Sequence, residues 1–159
     1  AIAILLGHLL GAGRVDAARE EARKMIAFSV FMGILSGILV AACAPIFPQL
    51  YNTTNEVRSL AVSFTLVMAI TSPMHSYLHA SYFTIRSGGK TMVTFLFDSG
   101  FVWCVNVVLA FALSRYTTLS ATYVYLIVQA VDLIKVAIGT VLVGRGTWAT
   151  DLTAAHAKP

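Results

Sequence analysis

Three charged side chains stand inside long stretches that otherwise carry none: Asp98, and the pair Asp132 and Lys135. Their chemistry follows from that isolation. A carboxylate among Phe95, Leu96, Phe97, Phe101 and Val102 is poorly hydrated, which equips it to exchange a proton or to attract a cation. Intramembrane acids are functional by default, although a packing carboxylate satisfied by a nearby hydroxyl or amide has the same sequence signature. Asp132 and Lys135 are three residues apart, so on a helix they share a face and can neutralise each other. Such a pair suits ion coupling and helix packing equally. These three residues are the candidates for handling a coupling ion or proton.

A second group is polar without being charged. On a helix of 3.6 residues per turn, Ser72, His75, His79, Tyr82 and Arg86 fall along one stripe, with an apolar side opposite. Thr122, Tyr125, Gln129 and Asp132 share a face of a later run, and Asn106 lies deep in a third. Polar faces of this kind turn toward protein or water rather than lipid, so Ser72, His75, His79, Tyr82, Asn106, Tyr125 and Gln129 are candidates for lining a cavity. His75 and His79 also have the spacing of metal ligands on a helix, but no third ligand accompanies them and no metal is expected. Tyr82, Phe83, Trp103, Tyr123 and Tyr125 offer ring faces to a cationic compound, or serve as interfacial belts and packing.

The elements that must hold these groups are helices in a bilayer. The chain has 159 residues, is 58% hydrophobic and only 11% charged, with a mean hydropathy of +0.80; a soluble domain carries about 25% charged residues. Gly89-Lys90-Thr91 looks like the end of a phosphate loop, yet the Gly required five positions earlier is Thr84, and the preceding 59–85 run has no charged residue and is too long for a strand. Complete spans are expected at about 25–44, 59–85, 92–114 and 119–143, each long enough for one crossing. Residues 1–10 read as the end of a truncated helix that continues upstream, since the chain opens without Met or a signal peptide. The Arg14 to Lys24 stretch reads as a short surface helix in which Glu20 and Lys24 can pair. Gly33 and Gly37 form a small-xxx-small pair for close helix approach, and Pro73 invites a kink. Cys43 and Cys104 lie within apolar runs and read as small packing residues with no disulfide or metal spacing. Trp148 reads as an interfacial anchor ahead of a cytoplasmic tail, 149–159, without fixed structure. The transmembrane unit is thus 1–148.

Basic residues fix the orientation. Arg14, Arg19, Arg23, Lys24, Arg86, Lys90, Arg145 and Lys158 fall in one set of connecting segments, while the alternate loops hold only Arg58 and Arg115. By the positive-inside rule the first set and the C-terminus are cytoplasmic. The net charge of +4 is therefore a topological signal and not a nucleic-acid one.

Three motifs in order resemble those of the multidrug and toxic compound extrusion transporters, the MATE family. Gly7-His8-Leu9-Leu10-Gly11-Ala12-Gly13-Arg14 followed by Ala17-Ala18-Arg19 resembles the signature after the second helix of each six-helix half, with His8 where Gln or Asn is usual. Ile85-Arg86-Ser87-Gly88-Gly89-Lys90-Thr91 is similar to the turn after the fourth helix, and Gly144-Arg145-Gly146-Thr147-Trp148 to the R-x-G-x-W ending. The resemblance implies an all-α, polytopic fold: the end of helix 8 through helix 12, forming the C-terminal lobe of a two-lobed, twelve-helix transporter. It implies export of amphiphilic, often cationic compounds by alternating access, driven by Na+ or H+ antiport, with no other cofactor and no enzymatic activity. The expected partners are an N-terminal lobe of the same chain, the small amphiphilic substrates and the lipid of a bacterial plasma membrane, with no nucleic acid. Alternatives are a lipid-linked oligosaccharide flippase of the same superfamily, which a basic cavity lining would favour, and an intramembrane metalloenzyme using His75 and His79.

Overall fold

A computed structural model describes residues 2–89 and 91–149, and for Phe97 the backbone alone. All regular structure among these residues is helical: α1 (Ile2–Gly11), α2 (Val15–Cys43), α3 (Asn55–Ser87), α4 (Thr91–Tyr116) and α5 (Ala121–Gly144), with a 3-10 turn at Phe47–Leu50. Helices α2 to α5 have 29, 33, 26 and 24 residues and are long and apolar enough to cross a membrane. The protein is an all-α polytopic membrane protein. The tail expected at 149–159 lies, from residue 150 onward, outside the described residues, as does Lys90.

The first span is longer than the apolar run alone implied, because nothing interrupts the helix between Val15 and Met25. This segment is rich in alanine and carries pairs at helical spacing, Lys24 with Glu20 at 2.8 Å and with Glu21 at 3.1 Å, which favour helix locally. The expected surface helix is therefore the first part of α2. At the reversal from α1, Gly13 has a φ of 71°, a conformation glycine adopts without steric cost. Pro45 and Pro48 follow the end of α2, and Thr54 caps α3, its Oγ1 accepting from the Val57 amide at 3.4 Å.

Helix α3 is central, contacting α1, α2 and α5, while α4 packs mainly on α5. The α2–α3 seam is built on the two glycines. A methyl group at Gly33 would collide with Ser76 and come within 3.0 Å of the Pro73 Cα, and one at Gly37 would lie 2.5 Å from the Ala69 carbonyl oxygen. Pro73 cannot donate to that same carbonyl, four residues earlier. Close approach by Gly37 thus covers the acceptor that the proline leaves unserved, with its Cα–H groups facing the oxygen, and α3 continues unbroken through Pro73.

Helix α4 contains two successive π-helical segments, Leu96–Gly100 and Val102–Asn106, a local widening that recurs at functional sites. Much of the apolar surface is open: Phe28, Ile70 and Trp103 are 64%, 80% and 71% exposed, as in a chain whose outer face meets lipid or other protein. Cys43 and Cys104 are free and exposed as well, which corrects their reading as packing residues. In lipid, an apolar side chain gains nothing by turning inward.

The tightest packing lies at the basic end. Leu6 and Leu10 of α1, Ala18 and Ala22 of α2, and Ile85 of α3 form a cluster with Trp148 and Ala149. Trp148 is 2% exposed and its Nε1 donates to the Val143 carbonyl at 3.1 Å. It is a core residue, not the interfacial anchor expected of it. The cause is a turn at Gly146, whose φ of +64° sends the chain back over the helix ends. The Trp148 backbone carbonyl then presses on Gly88, where there is no space for a Cβ.

Candidate functional site

Helix α5 turns one polar face inward. Gln129, Asp132 and Lys135 recur every three residues and are only 8%, 3% and 6% exposed. Burial at this spacing follows from the helical period, and it needs partners because unpaired polar groups away from water are costly. Asp132 has two: its Oδ1 accepts from Asn106 Nδ2 at 2.8 Å and pairs with Lys135 Nζ at 3.2 Å. The Lys135 ammonium also lies 5.6 Å from the centre of the Phe101 ring, within reach of a cation–π attraction. The pair is thus neutral, and through Asn106 it joins α5 to the second π-helical segment of α4. Asn106 Oδ1 is buried with no hydrogen-bond partner among the described residues.

One turn toward the start of α5, Gln129 crosses to α3. Its Nε2 lies 2.8 Å from His75 Nε2 and 3.3 Å from Thr71 Oγ1. With the amide nitrogen as donor, His75 Nε2 accepts, placing the imidazole proton on Nδ1. Near the basic end, Tyr77 OH and Thr140 Oγ1 make a further α3–α5 bond at 2.7 Å. Beside Gln129 a groove of about 290 Å³ runs between the helices, with Val67, Ile70, Leu126 and Leu133 as apolar walls.

The expected site residues therefore separate into three groups. His75, Asn106, Gln129, Asp132 and Lys135 come together between α3, α4 and α5. Ser72, His79, Tyr82 and Tyr125 go elsewhere. Ser72 faces Gly37 of α2, and His79 is exposed beside Phe28, Ser29 and Met32. Tyr82 stacks edge-on with Phe83 at 5.3 Å, its hydroxyl 3.5 Å from Arg86 Nη1, and Tyr125 packs edge-on to Phe64 at 5.1 Å. The stripe on α3 is broad enough to touch different neighbours on its two flanks. His75 and His79 consequently diverge, and among the described residues no three His, Cys, Asp or Glu side chains are grouped to hold a metal. Asp98 stands alone in the third group, exposed on the first π-helical segment of α4, with no ion pair or hydrogen bond from its side chain among the described residues.

Thr71, Tyr77 and Thr140 were not singled out from the sequence. Thr71 lies four residues before His75 and Thr140 five after Lys135, so the polar faces extend one turn further than the ionisable residues marked.

The five helices, the buried polar row and the three motif-bearing turns at the basic end belong to one all-α membrane bundle. A family model described as MatE matches residues 1–112, from α1 through most of α4. No curated protein and no solved structure matches the chain. A match over that much of the sequence establishes the relationship: the chain belongs to the MatE family of membrane transporters.

Proposed function

We propose that the protein is a secondary active exporter of amphiphilic, often cationic compounds, working by alternating access and driven by Na+ or H+ antiport, with Asp98 as the coupling acid. One contrast carries this reading. Of the two carboxylates in the apolar interiors of the spans, Asp132 is neutralised inside the bundle by Lys135 and hydrogen-bonded by Asn106, whereas Asp98 is exposed. A carboxylate on a lipid face costs roughly 2.5 to 3.5 kcal/mol, so an exposed one on a membrane helix belongs beside water or another protein element. An acid that reaches water within the membrane can load and release a cation, as antiport requires. The Asp132 pair, in this reading, positions α4 against α5 and so holds the helix that carries Asp98.

The same observation favours cationic cargo over a lipid-linked oligosaccharide. A flippase for an anionic headgroup calls for a basic lining, and the uncompensated charge in the interior of α4, away from Arg115 at its end, is negative. The reading includes a preceding six-helix lobe to complete the cavity, a plasma-membrane location, and the basic end facing the cytoplasm under the positive-inside rule.

The test is ethidium efflux from proteoliposomes containing the protein in its full natural length, under imposed Na+ or H+ gradients. One of the two gradients is expected to drive efflux, and Asp98→Asn is expected to abolish the dependence while leaving expression and insertion intact. Unchanged gradient-driven efflux in Asp98→Asn removes Asp98 from the mechanism.

A further inference from the structure

At the basic end, away from the polar row, three arginines surround a recess. It measures about 180 Å³ and lies between the start of α2 and the segment after α5, with Arg19, Arg23 and Arg145 around a floor formed by Ala22, Gly146 and Trp148. The volume is below the roughly 300 Å³ at which drug-sized pockets begin, yet it admits a small polar group. The fold sets the cations in place. The Arg19 guanidinium lies against Gly146, where a Cβ would be 3.2 Å from its Nε, and Arg23 follows one turn along α2.

Local acids engage only one cation of this cluster. Glu20 and Glu21 both turn to Lys24, at 2.8 and 3.1 Å. Asp16 reaches only Arg19, at 3.6 Å, and its side chain is 98% exposed. Among the described residues no carboxylate pairs with Arg23 or Arg145. The three arginines are exposed to solvent, which screens their mutual repulsion, but together they give the recess a positive potential that favours an anion. The planar donor forks of arginine match phosphate oxygens in number and geometry, and such contacts are among the stronger charge-assisted hydrogen bonds. The recess also opens at the end of the bundle where membrane helices meet headgroups, a place where basic pockets between helices hold anionic lipids.

We propose that the Arg19, Arg23 and Arg145 recess binds a phosphate group, carried by an anionic phospholipid headgroup or as the free ion. Bound there, the group bridges the start of α2 to the turn after α5, beside the buried Trp148.

The experiment uses the protein in its full natural length, delipidated in neutral detergent, with retained lipid read by native mass spectrometry. Phosphatidylglycerol is offered against phosphatidylcholine, with sodium phosphate as soluble competitor. The wild type is expected to retain phosphatidylglycerol preferentially. Arg23→Gln with Arg145→Gln should weaken that retention by about tenfold or more, while Arg14→Gln, on an exposed arginine outside the recess, leaves it unchanged. If sodium phosphate displaces the lipid and itself binds the wild type but not the double variant, the occupant is the free ion. If it does not compete, the occupant is the lipid. Thermal unfolding in phosphatidylcholine alone checks that the double variant folds, and should it not, Arg23→Lys with Arg145→Lys keeps the charge, loses the fork and carries the same comparison. Wild-type retention in the double variants, or an equal loss in Arg14→Gln, overturns the proposal.

Discussion

Removing one charge from the Asp132–Lys135 pair should cost far more than removing both. Asp132 and Lys135 are 3% and 6% exposed and 3.2 Å apart, a separation at which two unit charges attract by of order 5 kcal/mol at an effective dielectric near 20. That attraction offsets the desolvation of both groups and little more. Asp132→Asn leaves an amide oxygen to accept from Asn106 but removes the counter-charge of the buried Lys135 ammonium, which keeps only neutral contacts such as that oxygen and the Phe101 ring at 5.6 Å. The expected loss is about 3–5 kcal/mol. Combining Asp132→Asn with Lys135→Met removes the stranded charge and retains the hydrogen bond, and should recover most of the loss, to within about 1 kcal/mol of wild type. The assay is reversible unfolding of the full-length protein in mixed micelles, titrated with sodium dodecyl sulfate, alongside gradient-driven ethidium efflux in liposomes. The combined variant should also keep its coupling. If the single variant is as stable as the combined one, the pair is not held as a closed neutral unit. If the combined variant is stable but has lost its gradient dependence, Asp132 and not Asp98 is the coupling acid.

Three further substitutions test the packing. Trp148→Ala should destabilise the protein by about 3 kcal/mol or more by opening the cluster at the basic end, and Gly88→Ala should do comparable damage because the Trp148 carbonyl occupies the space a Cβ needs; Gly144→Ala, with nothing within 4 Å, is the matched neutral control in the same titration. Gly33→Val should cost about 1–3 kcal/mol by forcing α2 away from Ser76 and Pro73, and an unchanged unfolding midpoint would mean that the α2–α3 seam is looser than the glycine contacts imply.

The helices were legible because a membrane makes the rule simple: a run without charges must close its own backbone hydrogen bonds, and only a helix does so. The charge-free stretches around Gly33 and Pro73 therefore announced α2 and α3, the apolar run 119–143 announced α5 despite Asp132 and Lys135, and the helical period placed Gln129, Asp132 and Lys135 on one face. The pairing of Glu20 with Lys24 followed from the same spacing. Direction was harder to read. In a soluble protein, apolar composition implies burial, but in lipid it does not, which is why Cys43 and Cys104 are exposed. The same ambiguity hid Asp98, whose surroundings in sequence are aromatic and aliphatic while its side chain lies open on α4. Trp148 was misplaced for a different reason: its burial depends on the positive φ of Gly146 and on contacts with α1, α2 and α3, none of which is local. The family match, ending at residue 112, stops before α5, so the Gln129–Asp132–Lys135 row rests on helical geometry and burial alone.

The contact between Trp148 and Gly88 has a consequence for biosynthesis. Helices enter the membrane in order as the ribosome proceeds, and α1, α2 and α3 are all made before residue 148 exists. Until then Leu6, Leu10 and Ile85 lack the indole that covers them, so their end of the bundle stays unsealed through the synthesis of two further spans. A chain stopped after α5 but before Trp148 would carry helices α1 to α5 and still leave Leu6, Leu10 and Ile85 without the indole that covers them. The turn at Gly146, which carries Trp148 back over α1, α2 and α3, is what closes this end of the bundle.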